Sequence, residues 1–217
     1  MNGVFTLGPQ IDALLERLYS RNAAQEAALA TYFTERASDE SMNWTEFDAR
    51  TNDFLRDKLV ALDRPKAEFC YQVCRALQAR RVVEAGTSFG VSTIHLAAAV
   101  RDNVHREAPS ERAGRPRPMV IGTESEDGKV AAARRNFAEA GLSEFIEIRH
   151  GDLRETLRVL DGPIDFIRMG AVVVCDNTLQ FRDAYADYFE FIHDRRNGFR
   201  TMTLPFEGGL EFTVRVG

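Results

Sequence analysis

Residues 81–92 read Arg-Val-Val-Glu-Ala-Gly-Thr-Ser-Phe-Gly-Val-Ser, and this stretch restricts the fold of the 217-residue chain most tightly. A short apolar run bounded by glycine predicts a buried strand over 81–85. Gly86 and Gly90 bracket a turn, and Val-Ser-Thr-Ile-His-Leu-Ala-Ala-Ala-Val predicts a helix over 91–100. A strand that passes through a glycine turn into a helix opens a unit in which helices cover a parallel sheet.

The rest of the chain repeats that alternation. Strands are expected at 118–124, 145–149, 163–167 and 170–176, with helices at 127–141, 151–160 and 178–196. Gly141 stands where a helix C-cap is expected. Two closing strands, 199–206 and 210–216, are joined by Glu207-Gly208-Gly209, whose glycines provide the positive φ of a tight hairpin. The fold class is therefore α/β, a mostly parallel sheet with a C-terminal antiparallel hairpin. Residues 101–118 carry Arg101, Arg106, Arg112, Arg115 and Arg117 among acidic residues and prolines, and read as a solvated loop. Ahead of the first strand, helices are expected at 9–36, 44–61 and 65–79. The chain divides into an N-terminal helical extension over 1–79 and a domain over 80–217.

Charge excludes some partners. Twenty-eight Lys+Arg against 33 Asp+Glu leave a net charge of −5, which argues against a nucleic-acid or anionic-membrane binder. No apolar run approaches the roughly 18 residues that span a bilayer. The opening Met-Asn-Gly-Val-Phe-Thr-Leu-Gly-Pro-Gln lacks the basic and apolar regions of a secretory signal. Cys70, Cys74 and Cys175 have no paired spacing, which predicts reduced thiols and a cytoplasmic protein. Cys70 and Cys74 share one helical face and read as core residues, not metal ligands.

Four motifs fall at successive strand ends, where open α/β sheets bind ligands. In the first, Gly86 and Gly90 let backbone approach a ligand and the following helix offers free N–H groups. Ser88 stands where a dinucleotide fingerprint has its second glycine, so this turn either holds a ligand or needs glycine for geometry alone. In the second, Glu124 at the end of the second strand is suited to both hydroxyls of a ribose, and reads otherwise as a solvated residue. In the third, Gly151-Asp152-Leu153 offers a carboxylate to an adenine amino group or an N-cap to the next helix. In the fourth, Asp176-Asn177 offers adjacent oxygens to a hard divalent cation or caps a strand-to-helix turn.

Together these motifs resemble the class I S-adenosylmethionine-dependent O-methyltransferases of the catechol and caffeoyl-CoA type. The resemblance runs from about Arg80 to Val216. It rests on VVEAGTSFGVST, VIGTESE, AGLSEFIEIRHGDL, GAVVVCDNT and FRTMTLPFEGGLEFTV. It implies a Rossmann-like methyltransferase fold and a cofactor site of Glu84, Gly86, Thr87, Ser88, Gly90, Ser92, Glu124, Gly151, Asp152 and Leu153. Glu84, Gly86 and Gly90 would line the methionine part and Ser92 would bind its carboxylate. Glu124 would hold the ribose, and residues 151–153 would flank the adenine. Asp176 and Asn177 would bind a divalent metal such as Mg2+ that orients and acidifies an acceptor hydroxyl. The expected activity is methyl transfer from S-adenosylmethionine to a hydroxyl of a small molecule. Phe47, Phe54 and Trp44 either cap an aromatic acceptor or pack a core. A homodimer through the N-terminal helices is expected from their apolar stripes.

The chain departs from the family after its fourth strand. There the family has a further aspartate and a crossover helix. Here residues 163–167 run through Arg168 and Met169 into the fifth strand, and two residues cannot supply a parallel crossover of a dozen or more. Asp165, inside the strand, is no obvious substitute for the missing metal ligand. His150 has the type and pKa of a general base and reads equally as a strand-end residue. His95 and His193 read as structural and exposed. The alternative is thus a catalytically impaired, cofactor-binding or interaction protein. A nicotinamide-dependent oxidoreductase is disfavoured by the glycine spacing.

Overall fold

A computed structural model describes residues 5–37, 48–108, 110, 114–160 and 171–216. The strand expected at 163–167, with Asp165 and the Arg168-Met169 connection, lies outside the described residues, as do Trp44 and Phe47.

The chain opens with helices α1 (Pro9–Ala23) and α2 (Glu26–Ala37). Pro9 starts α1 where its missing N–H costs nothing, and Ile11, Leu14, Leu15 and Leu18 form its buried stripe. The single helix expected over 9–36 is therefore two. The break has a tertiary cause: the Gln25 amide exchanges hydrogen bonds with both backbone groups of Leu59, at 3.1 and 3.3 Å. Asn22 Oδ1 also accepts from Ala61 N at 3.0 Å. The helix expected over 44–61 is short, α3 (Ala49–Leu55), capped by Asp48, which accepts from Thr51 N. Helix α4 (Arg64–Ala76) carries Pro65 in its first turn.

Strand β1 (Arg81–Ala85) follows as expected, then helix α5 (Val91–Arg106) and strand β2 (Met119–Glu124). Helix α5 continues through 101–106, where a loop was expected, because its polar residues find partners, Asn103 among them, whose buried amide donates to Cys74 O and Ala79 O. Arg101 pairs with Asp102 at 2.8 Å, and Asp102 also takes the Tyr71 hydroxyl at 2.8 Å. Helix α6 (Asp127–Glu139), a 3-10 turn (Ser143–Phe145) and strand β3 (Ile146–His150) come next. Helix α7 spans only Leu153–Thr156 of the expected 151–160. Strand β4 (Val172–Asp176), helix α8 (Ala186–His193), and strands β5 (Phe199–Leu204) and β6 (Leu210–Arg215) complete the described chain. The helix expected over 178–196 is shortened because Leu179 N and Gln180 N donate to the Gly208 carbonyl rather than start a helix.

The topology is Rossmann-like. Strands β1, β2 and β3 pair in parallel in that order, with Val83 opposite Ile121 and Ile121 opposite Glu147. Strands β4, β6 and β5 pair antiparallel, so the closing hairpin puts β6 inside, against β4, and leaves β5 at the edge. Burial agrees: Leu210, Glu211 and Thr213 of β6 are buried, whereas Met202 of β5 is exposed. One apolar cluster holds Leu14 and Leu15 of α1 together with Val82, Ile94, Val120 and Phe137. Among the described residues no helix is long and apolar enough to cross a membrane.

Candidate functional site

The glycine turn after β1 is shaped by three left-handed residues. Gly86, Ser88 and Gly90 have φ of 88°, 50° and 85°. At Gly90 a side chain is excluded twice over, because a Cβ would lie 2.3 Å from Phe137 Cε1. Gly122, on the neighbouring strand, is a glycine that sequence reasoning passed over. A Cβ there would lie 2.2 Å from Thr87 Oγ1. The open space lets Thr87 N donate to Thr123 O at 2.8 Å and Thr87 Oγ1 donate to Glu84 Oε2 at 3.2 Å.

Two carboxylates hold this turn. Glu84 Oε2 also accepts from Thr93 Oγ1, the third residue of α5. Burial raises the Glu84 pKa most; the hydroxyls of Ser92, Thr93 and Thr87 oppose that shift, and the charge of Glu124 adds to it. Glu124 Oε2 accepts from Ser88 N at 2.8 Å, and Oε1 accepts from Ser125 N and Glu126 N. Gly151 N donates to Glu124 O at 2.9 Å, which brings the ends of β2 and β3 together.

Two cavities meet at Gly86. One, of about 500 Å³, is bounded by the 82–92 segment, by Leu59–Leu62, and by Asp176, Asn177 and Tyr185. The other, of about 530 Å³, is lined by Gly86, Thr123, Glu124, Ser125 and residues 151–154. Of the expected cofactor residues, Glu84, Gly86, Thr87, Ser88, Ser92, Glu124, Gly151, Asp152 and Leu153 border one of the two cavities or both, whereas Gly90 lines neither and shapes the turn behind them. Ser88 Oγ is buried at this junction with no hydrogen-bond partner, and a buried hydroxyl in that state has its hydrogen bond open to a bound polar group or water. Together with the glycine turn, it makes this cradle fit for a nucleoside-containing cofactor.

Other expected residues stand differently. Asp152 is the N-cap of α7, accepting from Arg154 N at 2.8 Å, and the Arg154 guanidinium grips the same carboxylate. These hydrogen bonds bring its pKa down to about 2. His150 donates a ring N–H to Ser125 O at 3.0 Å and lies outside both cavity linings. Phe54 stacks on Tyr32, with ring centroids 3.8 Å apart, in a separate groove between α2 and α3. It packs those helices and lines neither cavity at the glycine turn. Among the described residues none of the three cysteines is in a disulfide, and burial pushes the Cys70 thiol up to about 12.

The end of β4 holds the residue that sequence reasoning missed. Lys66, in the first turn of α4, is 1% exposed. Its ammonium donates to Asp176 Oδ1 at 2.6 Å and Asn177 Oδ1 at 3.3 Å, and pairs with Asp63 Oδ2 at 3.2 Å. Burial alone would lower the Lys66 pKa. The hydrogen bond and charge of Asp176, then those of Asp63, carry it above its usual value. Asp176 Oδ1 is further occupied by Asn177 N at 2.8 Å. Among the described residues no cluster of three His, Cys, Asp or Glu side chains could hold a metal ion. Asp176 and Asn177 thus do not fit the divalent metal expected there, because an ammonium already takes one oxygen of each.

A sequence model of the methyltransferase domain family matches residues 83–198, more than half of the chain. The chain belongs to this family. The catechol O-methyltransferase of Mycobacterium tuberculosis is 29% identical over 142 residues, which is 56% of this chain and 58% of that protein. The match thus spans little more than half of that relative's length. The O-methyltransferase TomG of Streptomyces achromogenes, solved in complex with SAM, superposes with a TM-score of 0.60 at 21% identity. It matches 88% of this chain and 96% of its own. An O-methyltransferase of Bacillus cereus, solved in complex with SAH, superposes with a TM-score of 0.60 at 17% identity, over 91% of this chain and 99% of its own. At these identities the two likenesses speak for the fold. The methyltransferase family and the glycine turn coincide on the chain, since the match begins inside β1.

Proposed function

We propose that this chain is an S-adenosylmethionine-dependent methyltransferase that acts on a hydroxyl of a small molecule. The observation that carries the reading is the junction at Gly86. There the two cavities meet between Glu84 and Glu124, over a buried Ser88 hydroxyl with no partner. The name of the mycobacterial relative, a catechol O-methyltransferase, supports a hydroxyl as the acceptor.

S-adenosylmethionine, when bound, supplies an electrophilic methyl on a cationic sulfonium. Glu124 would accept the ribose hydroxyls, as its carboxylate ends β2 at the cavity edge. Residues 151–153 would flank the adenine, with Asp152 keeping its capping duty. Glu84, Gly86, Thr87 and Gly90 would line the amino-acid part. Ser92 and the free N–H groups at the start of α5 would bind the carboxylate. The negative charge of Glu84 and Glu124 complements a cationic ligand. Leu59, Ala61 and Leu62 form an apolar wall opposite the turn, which keeps water from the reacting oxygen. Tyr185 and Asp176 border the same space and offer the acceptor its polar contacts. In-line approach then depends on how rigidly these walls hold the two reactants.

Three cysteines outside any disulfide suit a reducing compartment, so the same reading puts the protein in the cytoplasm. A homodimer through the N-terminal helices belongs to the same reading, and light scattering on the purified protein decides it. Labelled methyl transfer from S-adenosylmethionine to a panel of catechols and other phenols tests the activity. The reading expects label in product, and a large loss in Glu124→Ala. Cofactor binding without transfer to any acceptor would favour an impaired, cofactor-binding protein, the reading that the occupied Asp176 keeps open.

A further inference from the structure

We propose that the Lys66 ammonium is the resident cation of this site, seated where the family resemblance puts a divalent metal, and that the site takes up no such metal. The proposal rests on the methyltransferase reading for its setting. Its geometry stands on the chain itself.

The ammonium has three protons and meets three oxygens, from Asp63, Asp176 and Asn177. Two of these belong to the pair expected to hold a metal. A lysine in the first turn of a helix faces the positive end of the helix dipole. A buried ammonium there is retained only by well-placed acceptors, and the acceptors come from two distant parts of the chain. Asn177 is itself held in place. It has φ 55°, and a Cβ on Gly208 would lie 2.4 Å from its Oδ1. The missing Cβ at Gly208 thus leaves the closing hairpin room for the Asn177 carbonyl oxygen where it meets the ammonium. A divalent ion would have to enter within a few ångströms of a buried positive charge, where repulsion is strong. Expelling the lysine instead would break its contacts with three oxygens and pull a fully packed side chain out of its place. Lys66 is a positioning residue: it fixes Asp176 and Asn177 at the cavity wall, the task a metal would otherwise perform.

Manganese is the probe. The free Mn2+ electron paramagnetic resonance signal should be unchanged when the wild-type protein is added. A signal loss of one ion per chain that Asp176→Asn abolishes would overturn the proposal. A loss that Asp176→Asn leaves intact puts the ion elsewhere and agrees with it. Lys66→Ala should melt about 10 °C below the wild type. Mn2+ should return part of that loss while leaving the wild-type melting point unmoved. A folded Lys66→Ala that ignores Mn2+ would also contradict the exchange of ammonium for metal. If that variant does not fold, the wild type and Asp176→Asn decide alone. Calorimetry with S-adenosylmethionine on the same wild-type sample separates the two readings. Absent binding refutes the methyltransferase reading, while the Mn2+ titration judges Lys66.

Discussion

At the scale of single residues, the site trades stability for binding. Glu84 is a half-buried carboxyl whose pKa is raised in the folded state, chiefly by burial. A raised carboxyl pKa contributes stability that is fully present below the unfolded value and is lost as pH climbs through the folded value. Above that range the ionised group opposes folding. Glu84→Gln keeps an acceptor for Thr87 and Thr93 and removes the charge. It should therefore raise Tm by roughly 2–4 °C at neutral pH, an effect of about 1 kcal/mol. The gain should shrink as pH falls, because the wild-type carboxyl is then protonated in both the folded and the unfolded state. Calorimetric melts across pH check this, and a gain independent of pH would contradict it. Lys66 shows why part of the site was not legible. A lone lysine on an amphipathic helix reads as solvated, and its main partner lies 110 residues away. Glu84, Glu124 and the turn glycines were legible because chemistry and conformation sit within one short segment.

At the scale of elements, two glycines outside the recognised turn carry the geometry. Gly122→Ala would drive a Cβ into Thr87 Oγ1. That side chain must then leave Glu84, so cofactor affinity should fall by about tenfold or more, read by calorimetry. Gly208→Ala meets both a φ of +71° and the Asn177 carbonyl oxygen. It should cost about 1–3 kcal/mol in a denaturant titration. Strands β1 and β2 were legible to within a residue because short apolar runs end at turn residues. Helices were less so. The break after Ala23 depends on Gln25 pairing with Leu59, and the late start of α8 depends on the Gly208 carbonyl. Both are contacts between segments far apart in sequence. The 101–106 segment was misread because charge alone cannot separate a solvated loop from the exposed face of a helix.

At the scale of the whole molecule, the N-terminal helices and the α/β region share one apolar cluster. Helix α1 also reaches α6, where Arg17 and Gln10 bond to Glu139. Leu14 of α1 is 1% exposed within the shared cluster. Leu14→Ala should cost about 2–5 kcal/mol, and unfolding should remain a single transition by circular dichroism and by tyrosine fluorescence. Two separate transitions would show that the helices are an independent unit. The shared core has a functional consequence, because Asn22 and Gln25 anchor the Leu59–Leu62 wall over the cavity. The central claim is that the Gly86 junction holds S-adenosylmethionine between Glu84 and Glu124. Titration calorimetry of S-adenosylmethionine into the wild type and Glu124→Ala tests it most directly. The account predicts one site per chain, with a Kd that rises about tenfold to a hundredfold when the Glu124 carboxylate is removed. No binding to the wild type, or equal affinity in the two proteins, would contradict it.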